Sequence, residues 1–408
     1  MARRPTTSTR LNATNLESLG AARLADLLLA ASVGDGNLKR RLQLELAAEA
    51  GPEHLASVVD KRLASLAASR ARVSWRKRPD LLRDLEAHRH MIVTRLAPVA
   101  PAAGLAALQA WFDLFGGLTG RVKDPRGELT AAFGAAAPSL WTVAQAALDE
   151  EPDSIRLLAE AIGRAPLDYA RWIEAGAQDL SPDLAGRLLA AMDPSVRTAR
   201  SSRLAVRRLA DRAGDLDLWL SLVSDDERRS PDVAADAARR LLAAGRVAEA
   251  RSALEAALRP SAMNRRWTFG QDHPGRPTLT SSWERASIDV MEAEGKADEA
   301  QALRWTMFER DLSAPVLRDY LARLANFDDV EALERAFTHA AAFPDFDTAL
   351  EFLMDWPAHR EAAALVETRP REAQRPHPRK AEWTARLLQR FPSAAEALGP
   401  AGKGRAGA

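Results

Sequence analysis

The side chains best placed for chemistry are cations. Between Asp60 and Asp80 the chain holds Lys61, Arg62, Arg70, Arg72, Arg76, Lys77 and Arg78 and no acid. On one helix at 100° per residue, Lys61, Arg62, Arg72 and Arg76 share a sector of about 100°. Val59, Leu63, Leu66 and Val73 form the apolar stripe next to it. Such a basic helix, 61–78, suits phosphates or an acidic protein surface, and Trp75 offers a ring on which a base could stack. The competing reading is a solvated face whose charges are met by acids such as Asp80 and Asp84. A second concentration, Arg265, Arg266, Trp267, Phe269, Asp272 and His273, lies in segment 259–282, which has no helical period and many breakers. Arg and Trp anchor interfaces out of proportion to their number, and long irregular segments order on partners or carry function. Against this stands an insertion whose aromatics fold back onto the body of the protein.

Other chemistries find less support. His88 and His90, with Glu86, put imidazoles at i and i+2, on different faces of a helix. The metal-binding pair of a zinc protease helix is spaced i, i+4. The Gly-rich stretch Phe115–Glu128 (FGGLTGRVKDPRGE) lacks the order of a phosphate-cradling loop and follows no strand. No nucleophile stands beside a base, so the expectation is a protein without catalytic residues, cofactor or metal. An enzyme whose site is assembled from distant carboxylates would leave no local motif.

These residues must be positioned by helices. In 408 residues Ala and Leu dominate the apolar fraction, and there is no cysteine; composition favours helices over sheets and excludes disulfides and thiolate chemistry. No apolar run approaches a membrane span, and Arg3-Arg4 is followed by no apolar signal region, so a cytoplasmic protein with no membrane partner is expected. The net charge of +1 rules out a globally basic binder, yet residues 1–100 hold 17 Lys and Arg against 10 acids.

The clearest unit is Ser230–Pro260. Ser230-Pro231-Asp232 has the pattern of a helix start. Ala234, Ala237, Ala238, Leu241 and Leu242 follow at helical spacing, and Gly245 supplies a left-handed stop. Val247, Ala250, Ala253, Leu254, Ala257 and Leu258 form a second run, making an αα-hairpin of one repeat length. GRVAEARSAL from Gly245 is matched by GKADEAQAL from Gly295, and Glu-Ala pairs recur at 249, 299, 331 and 361.

Earlier in the chain, Thr14 and Glu17 match a capping box opening a helix that carries Leu16, Leu19, Leu24, Leu27 and Leu28. A second helix, Asn37–Ala50, turns Leu38, Leu42 and Leu46 inward. The third runs from Glu53 to Arg76, and the fourth from Pro79 to Leu96. The segments LNATNLESLGAARLADLL, KRRLQLELA and VSWRKRPDLLRDLEAHR resemble a family of proteobacterial helical proteins known only as a domain of unknown function. The likeness covers about 130 residues and is looser beyond; it implies a helical fold and carries over no functional residue.

The expected architecture is all-α, an N-terminal helical bundle followed by a degenerate tetratricopeptide-like αα-hairpin solenoid. Its parts are a disordered 1–11, a basic bundle 12–150, a repeat array 151–366 with the inserted loop 259–282, a linker and last helix 367–398, and a disordered tail 399–408. Trp111, Trp172, Trp219 and Trp305 are expected to fill helix–helix contacts. The expected function is a non-catalytic scaffold or adaptor for a protein or peptide partner. The alternative is non-specific nucleic-acid binding through helix 61–78. Oligomeric state is not legible.

Overall fold

The computed structural model describes residues 10–258, 279–325 and 328–399. Among them are twenty-five α-helices, one π-helical turn (Ile92–Leu96) and a single bridged pair, Val73 and Val122. The fold is all-helical, as the Ala- and Leu-rich composition leads one to expect. Two compact units divide the chain, Met1–Val223 and Ser224–Ala408. The boundary expected near residue 150 falls instead inside the first unit, between the Glu128–Glu150 and Ser154–Arg164 helices. Leu148 and Ile155 are buried on either side of that short connection, so the core runs across it without a break.

The first unit is built on the apolar faces of the Pro101–Thr119 and Glu128–Glu150 helices. Trp111 stacks on Phe133 with ring centroids 4.1 Å apart, and Phe112, Phe115 and Trp172 close around them. Trp141 donates its Nε1–H to the carbonyl of Trp172 at 3.1 Å. All four tryptophans expected to pack between helices are buried.

Three helices of this unit differ from the sequence reading. The capping box does not form: Asn12, not Thr14, accepts from the amide of Asn15. The helix it starts ends at Glu17, and Gly20 at φ 82 separates it from the Ala21–Ser32 helix. In the Gly36–Ala50 helix the buried positions are Leu44 and Ala47, while Leu46 is exposed. The larger correction concerns the third helix, which ends at Ala68 rather than Arg76.

Ser69 turns extended there, and the chain leaves the helix to pair with the 121–123 segment. Val73 donates its amide to Arg121 O at 2.9 Å and accepts from Lys123 N at 3.1 Å. The Arg121 guanidinium donates to Leu66 O at 2.6 Å and Ala71 O at 3.3 Å, a cation on the carbonyl end of the helix. The Gly-rich stretch is also shorter than expected, because Gly116 and Gly117 are helical and only 120–127 is loop.

In the second unit the hairpin expected at Ser230–Pro260 is present as Pro231–Ala243 and Val247–Ala257. Ser230 occupies the cap position without a side-chain bond, and Leu258 is exposed. Gly245 stands at φ 73, and Arg246 N donates five residues back to Leu241 O at 2.8 Å. The Ser281–Ala293 and Ala297–Asp311 helices are joined in the same way: Gly295 stands at φ 77 and Lys296 N donates to Met291 O at 2.8 Å. A third turn has Pro357 at the equivalent place, between Phe346–Asp355 and His359–Thr368, with Ala358 N on Leu353 O at 2.9 Å.

Five residues past each of these turns lies an alanine with no exposure: Ala250, Ala300 and Ala362. A methyl there lets the helices of a hairpin approach closely. Ala332, the fourth member of the series, is only half-buried. The Pro231–Ala243 helix packs both on its own partner and on Ser281–Ala293, the first helix of the next hairpin.

Candidate interaction surfaces

With the third helix ending at Ala68, the four cations expected on one face are dispersed. Lys61 stays exposed on the helix. Arg62 is half-buried and donates to Asp84 Oδ2 through Nε at 2.9 Å and Nη2 at 2.5 Å. Arg72 and Arg76 lie beyond the helix, on the 69–77 segment, and remain exposed.

The bridge to residues 121–123 gathers a different group. Arg70, Arg72, Arg76, Lys77, Lys123 and Arg126 are all exposed, and among the described residues none of them has an ion pair. The two carboxylates of this corner are already engaged. Buried Arg78 donates to Glu128 Oε2 at 2.9 Å and to Lys123 O at 2.9 Å, and lies 3.6 Å from Asp124. Asp124 in turn accepts the amides of Glu128 and Leu129 that open the next helix. Between the two segments is an open groove of about 570 Å³, lined by Trp75, Arg76, Pro79, Pro125 and Arg126. Trp75 is 58% exposed, with the Arg76 guanidinium 5.2 Å from its ring centre. The sequence reading missed the contribution of Lys123 and Arg126; three cations in the 121–126 loop were the available signal.

Asp84 organises the neighbouring interior. Its side chain is 2% exposed and accepts from Arg62 and from Arg40 Nε at 2.7 Å. His88, one turn on, donates its Nδ1–H to the carbonyl of Asp84 at 2.7 Å, while His90 is exposed. Burial, above all, pushes the His88 imidazole below its ordinary value; the Asp84 carbonyl and carboxylate oppose this, and Arg62 and Arg40 add to it. The folded histidine therefore takes up its proton at a lower pH than the unfolded chain, which does so as pH falls through about 6.5. Below that value the unfolded state binds more protons, so stability falls as pH is lowered. Thermal midpoints measured from pH 7.5 to pH 5 should decline in the parent, and His88→Gln should flatten this dependence.

A surface with no counterpart in the sequence reading lies at the start of the first unit. The Ala21–Ser32 helix buries none of its twelve residues. Every other described α-helix of eight residues or more buries at least one. Leu27, Leu28 and Leu29 are 42%, 42% and 64% exposed, and Leu11, Leu16, Leu19 and Val33 in the adjoining sequence are exposed as well. Spacing alone places Leu24, Leu27 and Leu28 on one face, which reads as a core stripe. Three leucines in a row were the signal that one of them must face water.

Two further places carry less. In the second unit an open groove of about 500 Å³ is lined by Arg239, Ile288, Arg304, Met307, Val316 and Asp319. Its buried guanidinium, Arg304, is taken up by Asp319, Glu292 and Gln301, and Arg323 shares the same carboxylates, so these charges close on one another. In the first unit Asp113 accepts from Tyr169 Oη at 3.3 Å and Arg164 at 3.4 Å. Burial pushes its carboxyl up and Arg164 draws it back, and burial likewise pushes the neighbouring Tyr169 hydroxyl up, away from a reactive phenolate.

The candidate loop residues Arg265, Arg266, Trp267, Phe269, Asp272 and His273 lie outside the described residues. Among the described residues no helix is long and apolar enough to cross a membrane, and no three His, Asp or Glu side chains are grouped to hold a metal ion.

One family model matches the chain, described as "Family of unknown function (DUF6880)", over residues 6–188 and again over 178–399. No curated protein matches.

Proposed function

The chain belongs to the Family of unknown function (DUF6880), and we propose that it is a non-catalytic interaction scaffold, a degenerate αα-hairpin solenoid that docks a protein partner on its N-terminal apolar face. The repeated turns at Gly245, Gly295 and Pro357 and the first-helix packing of successive hairpins support the tetratricopeptide-like reading of the second unit. Arrays of this kind present extended surfaces with no need of a catalytic site.

One observation carries the docking role: the Ala21–Ser32 helix has no buried residue, and Leu27, Leu28 and Leu29 are exposed. Contiguous exposed apolar patches mark interaction sites, whereas single exposed leucines are ordinary. A partner with an apolar groove would receive such a helix along its i, i+3, i+4 anchors.

The test is Leu28→Glu combined with Leu29→Glu in the full chain. Glu is nearly as good a helix former as Leu, and neither position is in the core, so folding should be unchanged within about 0.5 kcal/mol. Quantitative co-purification from cells expressing the tagged protein should show partner recovery reduced at least tenfold. An identical set of partners at identical recovery would remove this face from the account.

A further inference from the structure

We propose that the corner of the first unit where residues 69–77 meet residues 120–127 binds single-stranded nucleic acid, with Trp75 stacking on a base and Arg72, Arg76, Lys77 and Arg126 contacting phosphates. This goes beyond the scaffold role and uses a different surface.

Charge comes first. Many of the described arginines have a carboxylate within reach; Arg83, Arg89, Arg95 and Arg187 are examples. At this corner six exposed cations have none among the described residues, and Arg78 satisfies the two local acids. A cluster left uncompensated by its own fold repels itself, and a polyanion relieves that repulsion by releasing its condensed counterions.

Preorganisation comes second. Both segments are irregular, yet they are fixed to each other by the Val73–Arg121 and Val73–Lys123 backbone bonds and by the buried guanidinium of Arg78. Arg121 ties them to the end of the preceding helix. Little backbone ordering remains to be done on binding, which keeps the cost of association low.

The aromatic residue selects the kind of polyanion. Trp75 is more than half exposed. Arg76 sits over its ring, and the groove between Pro79, Pro125 and Arg126 opens beside it. A base can reach that ring only if it is unstacked, which a duplex does not offer and a single strand does. The corner presents cations on turns rather than on a helix that could enter a major groove. A lipid surface fits less well, because the neighbours of Trp75 are Arg, Lys, Ser and Pro rather than an apolar face to insert.

Fluorescence anisotropy of a labelled oligothymidylate with the full chain tests the site. Dissociation constants on the order of 10⁻⁴ to 10⁻⁶ M are expected, typical of sequence-independent binding. With four phosphate contacts at a slope of about −0.7 each, affinity should fall roughly 50-fold between 50 and 200 mM salt. Trp75→Ala should weaken binding by about tenfold. Reversal of Arg72, Arg76 and Lys77 to Glu should weaken it at least a hundredfold, with circular dichroism unchanged. The charge-matched reversal of Arg156, Arg171 and Arg187, exposed arginines of the same unit already paired with acids, should leave most of the affinity in place.

Each of three results would overturn the proposal. One is equal loss in the two triple variants. Another is an unchanged affinity in Trp75→Ala, which would mark a cationic patch indifferent to bases. The third is tighter binding of a duplex, or of vesicles of anionic lipid, than of the single strand.

Discussion

Replacing Asp84 by Ala is expected to destabilise the first unit by about 3 kcal/mol. The carboxylate is buried and serves two guanidiniums, those of Arg40 and Arg62. Removing one partner of a buried ion pair typically costs about 3–5 kcal/mol, because the remaining charges lose their compensation. Arg40 and Arg62 are each about one-third exposed, so they can turn partly to water, which places the effect at the low end. For a unit of this size 3 kcal/mol lowers the unfolding midpoint by roughly 6–12 °C. Differential scanning calorimetry of the variant measures it. Asp183→Ala, which removes the exposed partner of Arg187, is the comparison and should shift stability by no more than about 0.5 kcal/mol. Equal shifts in the two variants would mean that Asp84 does not organise this interior.

Trp111→Ala should be costlier still, about 3–5 kcal/mol. The ring is 1% exposed, stacks on Phe133, meets Phe112 edge-on at 5.1 Å, and donates its Nε1–H to Leu85 O at 3.0 Å. Its loss leaves a cavity among aromatic rings and removes the hydrogen bond to Leu85 O, and the two penalties add. Trp111→Phe keeps most of the volume and should recover more than half of the loss. Trp75→Ala, in the proposed nucleic-acid corner, should change stability by less than about 0.5 kcal/mol. The two tryptophans thus separate packing from binding: one variant unfolds the unit early, and the other leaves the midpoint in place while weakening the oligonucleotide.

What was legible in the sequence is what local physics decides. The hairpin around Gly245 could be read because proline starts, a left-handed glycine stop and small buried residues all act within a few positions of each other. The same grammar found Gly295; the Glu-Ala pair at 361 marked a further repeat, but its turn at Pro357 was not read. The buried tryptophans were legible from size and spacing. What could not be read was decided at long range. Residues 69–76 continue an apolar helical period, yet Val73 is drawn off to pair with a segment almost fifty residues away. Asp84 could be named as an acid for these charges, but that it takes Arg62, 22 residues distant, and leaves Arg72 and Arg76 to solvent is decided by the fold. Helical periodicity likewise gives the apolar face of Ala21–Ser32 but not whether any helix of the same chain covers it. The unit boundary at Val223 was hidden for a related reason: one short connection among many carries no compositional mark.

The claim that most of this account depends on is that the N-terminal helix is a docking face. A photo-reactive phenylalanine analogue placed at Leu29 in the full chain, irradiated in cells, tests it directly. Leu157 and Leu388, about half exposed but outside the Leu11–Val33 patch, serve as comparison positions. A discrete cross-linked species of higher mass is expected from position 29, lost when Leu28→Glu is also present, and none from 157 or 388. No adduct at position 29, or the same adducts from all three positions, would contradict it.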